Sequence, residues 1–211
     1  MTTAFLVLKS VRNEYGKVFQ ELALLTKELF PMKSIFYTVI FSFLLMACSE
    51  KQDVYTNKET FKATLTAAEQ GDKDKQYHLG GMYYGGVGVE QDVKEALKWF
   101  RKAAERGLAT AQYNTASMYE SGTGVVIDLN EAFDWYLKAA EQEMVAAQLK
   151  VGMMYNKGDG VEQDDTAAYM WLGLSAATGE KSAVENLEII TKRMTPAQLA
   201  RGRQLVGEWK A

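Results

Sequence analysis

In the middle of the chain the apolar positions recur at helical spacing. Lys75, Gln76, Leu79, Gly80 and Tyr83 follow steps of three and four and predict one helix; Val93, Ala96, Leu97, Phe100, Ala103 and Ala104 predict a second. Between them runs Gly86-Val87-Gly88-Val89-Glu90-Gln91-Asp92. Gly86 is placed to stop the first helix in a left-handed conformation, and Gly88 lets the loop return. Asp92 stands where a side-chain oxygen caps the second helix. No useful length alternates with a period of two, so no sheet is expected.

This unit returns twice. Gly86, Gly88, Val89, Asp92, Ala96 and Trp99 recur 36 residues later as Gly122, Gly124, Val125, Asp128, Ala132 and Trp135, and again as Gly158, Gly160, Val161, Asp164, Ala168 and Trp171. Six identities in register, the rare Trp among them, mark a module rather than a coincidence. Gly80, Ala96, Ala103 and Ala104 leave room for close helix approach, while Tyr83, Trp99 and Phe100 fill the volume between neighbouring pairs. The expected fold is all-α, a solenoid of helix-turn-helix repeats at 72–107, 108–143 and 144–179, preceded by a degenerate half-repeat at 55–71. Residues 180–211 are expected to cap it. There Val184, Leu187, Ile190 and Met194 suggest one helix, and Thr195-Pro196-Ala197-Gln198 reads as a capping box with proline in the first turn. Leu199, Gly202, Val206 and Trp209 then line one side of a final helix over the last apolar face.

The pattern Ala111-Gln112, Ala116, Met118-Tyr119, Gly122, Gly124-Val125, Asp128, Ala132, Trp135-Tyr136 and Lys138-Ala139-Ala140 resembles the SEL-one-like repeat. That repeat is a relative of the tetratricopeptide repeat with a longer loop. The resemblance spans about Asp72 to Gly179 and implies a right-handed superhelix that binds other proteins or peptides. Two departures leave local turns in question: Glu143 replaces the terminal glycine of the second copy, and Ser175 replaces the first alanine of the third.

Stacks of helix pairs present their leading helices along a concave surface, and binding is expected there. With Gln76, Leu79, Gly80 and Tyr83 inward, the opposite side carries Asp74, Tyr77, Gly81 and Tyr84. Its equivalents are Thr110, Tyr113, Ser117 and Glu120, then Ala146, Leu149, Met153 and Asn156. The partner-binding candidates are Asp74, Tyr77, Tyr84, Tyr113, Ser117, Glu120 and Asn156. Aromatic side chains dominate interface energetics, which singles out the tyrosines; the alternative is that they only pack against adjacent helices.

Residues 32–47 read as a signal peptide. Met32-Lys33 is a short basic start, and the uncharged run from Ser34 to Ala47 is 14 residues, against roughly 20 for a spanning helix. Leu45-Met46-Ala47-Cys48 resembles the lipobox of bacterial lipoproteins, which implies acylation of Cys48, anchoring to a membrane, and a periplasm-facing address at the outer membrane from Ser49 in the next position. Residues 48–54 are then a tether, the alternative for Cys48 being a free thiol in a short helix. Translation is expected to start at Met32, making 1–31 an upstream extension; against that, Phe5, Leu8, Val11, Tyr15, Val18, Leu22 and Leu25 fit an amphipathic helix.

Composition adds mostly exclusions. Among 211 residues the net charge is −3, so neither nucleic acid nor an anionic surface is an expected partner. A single cysteine and a single histidine, His78, rule out a disulfide framework, a thiolate metal cluster and any two-imidazole site; no metal or cofactor is expected. No serine has lysine three residues on, and the nucleophile-elbow, zinc-helix and phosphate-loop motifs are missing. Asp159, Glu162, Asp164 and Asp165 cluster, but their spacing departs from a calcium loop and fits capping plus a solvated face. The expected function is a non-enzymatic scaffold or adaptor. The rival is a cell-envelope enzyme, a peptidoglycan hydrolase working through a carboxylate pair or a β-lactam hydrolase.

Overall fold

The computed structural model describes residues 57–209, and the signal segment, Cys48 and residues 1–31 lie outside that span. Within it the fold is all-α, as the periodicity predicts. The helices are α1 (57–69), α2 (Lys73–Gly85), α3 (Val93–Glu105), α4 (Ala109–Ser121), α5 (Leu129–Glu141), α6 (Val145–Lys157), α7 (Asp165–Ala176), α8 (Lys181–Thr191) and α9 (Pro196–Trp209). Helices α2 with α3, α4 with α5, and α6 with α7 form the most closely associated pairs, and each pair packs on the next.

The helix ends follow from the repeated residues. The Asp92 carboxylate accepts from the Lys94 and Glu95 N–H groups at 3.0 Å, and Asp128 and Asp164 do the same for α5 and α7. Gly86, Gly122 and Gly158 end α2, α4 and α6 with φ of 69°, 73° and 78°, and each N–H bonds back to the last turn. Each loop then folds over its leading helix: the Asp92, Asp128 and Asp164 N–H groups donate to the Tyr83, Tyr119 and Tyr155 carbonyls.

The second glycine of each loop has a different task, which is contact between repeats. A Cβ on Gly160 would lie 2.0 Å from the Leu129 carbonyl oxygen, and one on Gly124 would lie 2.8 Å from that of Val93. Gly88 meets Asn57 of α1 in the same way. Each loop is therefore pressed onto the start of the preceding trailing helix, backbone to backbone.

Small residues set the spacing inside each pair. Gly80 lies under the Phe100 ring and Gly152 under Leu172, at distances a Cβ could not share. Ala96, Ala103, Ala132, Ala139 and Ala168 are fully buried, and Tyr136 and Leu172 fill the space they leave. Trp99, Trp135 and Trp171 occupy equivalent buried positions. Lysines lie over the first two, Lys102 at 3.8 Å and Lys138 at 4.0 Å, whereas Trp171 is covered by Trp209 at 5.0 Å.

The two departures are absorbed differently. Ser175 is fully buried, and its Oγ donates to the Val145 carbonyl at 3.3 Å. Glu143 keeps the left-handed turn, with φ 62°, where Gly71, Gly107 and Gly179 have 93°, 81° and 90°. A side chain in that conformation is disfavoured by about 1 kcal/mol. Glu143→Gly is expected to stabilise the fold by about 0.5–1 kcal/mol, read as a higher urea midpoint.

Helix α8 stays in the 36-residue register, so it stands where a fourth leading helix belongs. The helix expected from Val184, Leu187 and Ile190 is present; Ala183 and Ile190 are buried, Val184 is 42% exposed and Met194 falls beyond the helix end. The site that is Gly80, Ala116 and Gly152 in the repeats is Glu188 in α8, where it is exposed. The chain then turns through the capping box, Gln198 N–H donating to Thr195 Oγ1 and Thr195 N–H to Gln198 Oε1. Helix α9 returns to α7, laying Gly202 on Tyr169 and Val206 on Gly173.

Candidate functional site

The seven residues singled out for binding lie on α2, α4 and α6 in several environments, and three of them, Tyr77, Tyr113 and Glu120, touch the trailing helices α3 and α5. Asp74 is exposed in the first turn of α2, and Tyr84, at the other end, is 48% exposed. Gly81 lies between them, with open space where a Cβ would be. Tyr77 is half-buried: its ring packs 5.4 Å from Phe100, and its hydroxyl accepts from Asn114 Nδ2 at 3.2 Å. Tyr113 repeats the ring contact against Tyr136 at 5.1 Å. Both tyrosines therefore stitch helices together while leaving part of the ring uncovered.

Glu120 forms the polar centre of the middle repeat. Its carboxylate accepts from the Tyr136 hydroxyl at 2.7 Å and from Lys150 Nζ at 2.8 and 2.9 Å, joining α4, α5 and α6. Ser117 is half-buried one turn away on α4. Asn156 belongs to a different group, a clasp with the C-terminal tail. Arg193 donates to its carbonyl at 3.2 Å, contacts its side-chain oxygen, and holds Asp165 through Nε at 2.9 Å.

Charge in the Glu120 group is set by opposed effects. Burial works to raise the carboxyl, but hydrogen bonds from Lys150 and Tyr136, with the Lys150 and Lys157 charges, outweigh it and hold the group below its ordinary 4.5. Burial, then the bond to Glu120, pushes the Tyr136 phenol well above its ordinary value. A lowered carboxyl contributes stability above the unfolded value that is lost as pH falls through the folded one. Glu120→Gln is expected to destabilise the fold by about 1 kcal/mol at neutral pH, since the pair is partly exposed. Its stability is also expected to change less than that of the parent chain between pH 6 and pH 3, as followed by circular dichroism in urea.

Lys150, Asn114 and Tyr136 were not among the expected site residues. Lys150 and Asn114 occupy the position of His78 in the 36-residue register, but the residue type changes from copy to copy. The carboxylates expected only to cap and face solvent divide as follows: Asp164 caps α7, and Asp165 pairs with Arg193. Among the described residues no group of His, Cys, Asp or Glu could hold a metal ion, and no helix is long and apolar enough to cross a membrane.

Comparison with known proteins agrees with this geometry. The Sel1 repeat family matches residues 76–108, 109–144 and 145–179. No curated protein sequence matches. Among solved structures, the chain is similar to a protective antigen present in uropathogenic Escherichia coli strains that displays an SLR fold. The two are 37% identical with a TM-score of 0.63, over 71% of this chain and 32% of that one. A Sel1 repeat protein from Oxalobacter formigenes is 34% identical with a TM-score of 0.59, over 62% of this chain and 54% of that one. The chain thus spans about a third and about half of the two structures it matches. From residue 76 to residue 179 it is an uninterrupted run of three Sel1 repeats, built as an all-helical repeat stack of the SLR kind.

Proposed function

We propose that the chain is a non-enzymatic scaffold or adaptor that binds a protein or peptide along its leading-helix face, held in the bacterial cell envelope by a lipid on Cys48. The observation that carries the binding reading is the half-covered band from Tyr77 through Tyr113 to Leu149, beside exposed Tyr84 and the open position at Gly81. Such a band offers aromatic edges, hydroxyls and an ion pair without a catalytic constellation. Its similarity to Sel1-repeat proteins supports the same reading, because stacked repeats expose long, continuous surfaces.

The face is tested by Gly81→Arg with Tyr84→Ala, two exposed changes that leave the core contacts in place. Crosslinked capture of a specific partner from membranes is expected to fall at least ~10-fold, the effect of losing an interface hot spot, with an unchanged melting temperature. Undiminished capture would sink the reading. The anchor is tested separately by palmitate labelling, which is expected to vanish in Cys48→Ala; label that persists removes the lipoprotein assignment.

A further inference from the structure

A second concavity lies on the other side of the first repeat, between trailing helices α1 and α3 and behind the first turn of α2. It is a cleft of about 620 Å³ whose wall includes Gln76, Trp99, Lys102 and Arg106. Gln76 and Trp99 are only 4% and 6% exposed, yet Gln76 Oε1 and Trp99 Nε1 have no hydrogen-bond partner among the described residues. The Gln76 amide is oriented by its other end, since Nε2 donates to the Ala68 carbonyl at 3.0 Å. One acceptor and one donor, each with almost no accessible surface, are thus left unpaired on two residues of the same cleft, where native structures seldom leave either unpaired.

In the second repeat both atoms are closed. There Gln112 Oε1 accepts from Gln142 Nε2 at 2.6 Å, and Trp135 Nε1 donates to Glu131 at 2.9 Å. Both partners are lost in the first repeat through sequence. Arg106 replaces Gln142, and its guanidinium lies beside Gly71. Glu95 is the counterpart of Glu131, but Lys98, standing where the next repeat has Asp134, draws it away at 2.6 Å.

We propose that this cleft binds a peptide segment, one backbone amide of which accepts from Trp99 Nε1 through its carbonyl and donates its N–H to Gln76 Oε1. A secondary amide supplies the missing acceptor and donor in one group. Lys102 lies 3.8 Å over the Trp99 ring with its side chain exposed, so lifting it uncovers the indole. Glu69 and Glu105 line the cleft with Lys102 and Arg106, which gives partners of both signs to peptide side chains and favours a peptide over a neutral sugar amide. The site is separate from the leading-helix face and stands or falls independently of it.

The test follows the indole N–H resonance of Trp99 in the ¹⁵N-labelled full-length chain, identified by its disappearance in Trp99→Phe. The chain is titrated with N-acetyl-alanyl-alanine amide and, in parallel, with N-acetylglucosamine, which carries the same amide on a sugar. The resonance is expected to move saturably with the peptide and stay fixed with the sugar. Lys98→Asp with Arg106→Gln rebuilds the arrangement of the second repeat from two exposed positions. It is expected to abolish the peptide response with no loss of melting temperature, whereas Arg106→Met, which removes the charge without adding an amide, retains it. A resonance unmoved by peptide would mean that water alone serves the pair and would overturn the proposal. So would a response to the sugar only, a response surviving in the double variant, or its loss in Arg106→Met.

Discussion

Gly160→Ala is expected to be among the most damaging single-methyl additions in this chain, lowering stability by on the order of 3 kcal/mol or more. Two effects add. The backbone at Gly160 has φ 70°, where any L side chain is strained by about 1 kcal/mol, and the new Cβ would lie 2.0 Å from the Leu129 carbonyl oxygen. That neighbour is main chain at the start of α5, so the clash can be relieved only by parting the second and third repeats. The proof lies in a graded series. Gly107→Ala shares the positive φ but has nothing within 4 Å, and it is expected to lose only about 1 kcal/mol. Gly124→Ala, with a contact at 2.8 Å, should fall between. Equal urea midpoints for all three variants would show that the loop does not hold the repeats together.

Trp135→Ala is expected to destabilise by about 3–5 kcal/mol, the range for removing a buried aromatic side chain. The ring is 5% exposed, its Nε1 donates to Glu131, and Lys138 lies over its face. A replacement leaves a cavity in the middle of the stack, between Ala-lined helices that have little freedom to collapse. Contact in repeat folds runs mainly between neighbours, so the loss is also expected to break cooperativity. Unfolding should become two-stepped by circular dichroism, where one transition is expected of the parent chain. Trp135→Phe, which keeps most of the volume but drops the Glu131 bond, should lose much less. A loss under about 1 kcal/mol for Trp135→Ala would mean that the indole is not part of the core.

What could be read from the chain before its fold was known divides by physical cause. Helix number, the three loops and their caps were legible because they depend on local chemistry: Asp92, Asp128 and Asp164 satisfy N–H groups two and three residues on. Spacing placed Tyr77 and Tyr113 at equivalent positions of the leading helices but did not reveal their ring contacts with Phe100 and Tyr136. Spacing placed Val184 in a helix but left its exposure open, because a three-and-four pattern says which residues share a side of a helix and not whether another helix arrives to cover it. The linked group of Glu120, Tyr136 and Lys150 was invisible for a similar reason, since its members are 16 and 30 residues apart and none repeats in kind.

The sequence by itself determined an all-helical repeat of 36 residues with its turns and caps, because those are set by contacts within one unit and then copied. Only the tertiary structure decided how the copies differ. The last helix turns back onto α7 instead of pairing with α8, Trp209 takes over from a lysine on Trp171, and Arg106 leaves Gln76 unpaired where Gln142 closes Gln112. Each outcome depends on which side chain from a neighbouring helix reaches a given atom, and that is a property of packing rather than of sequence spacing.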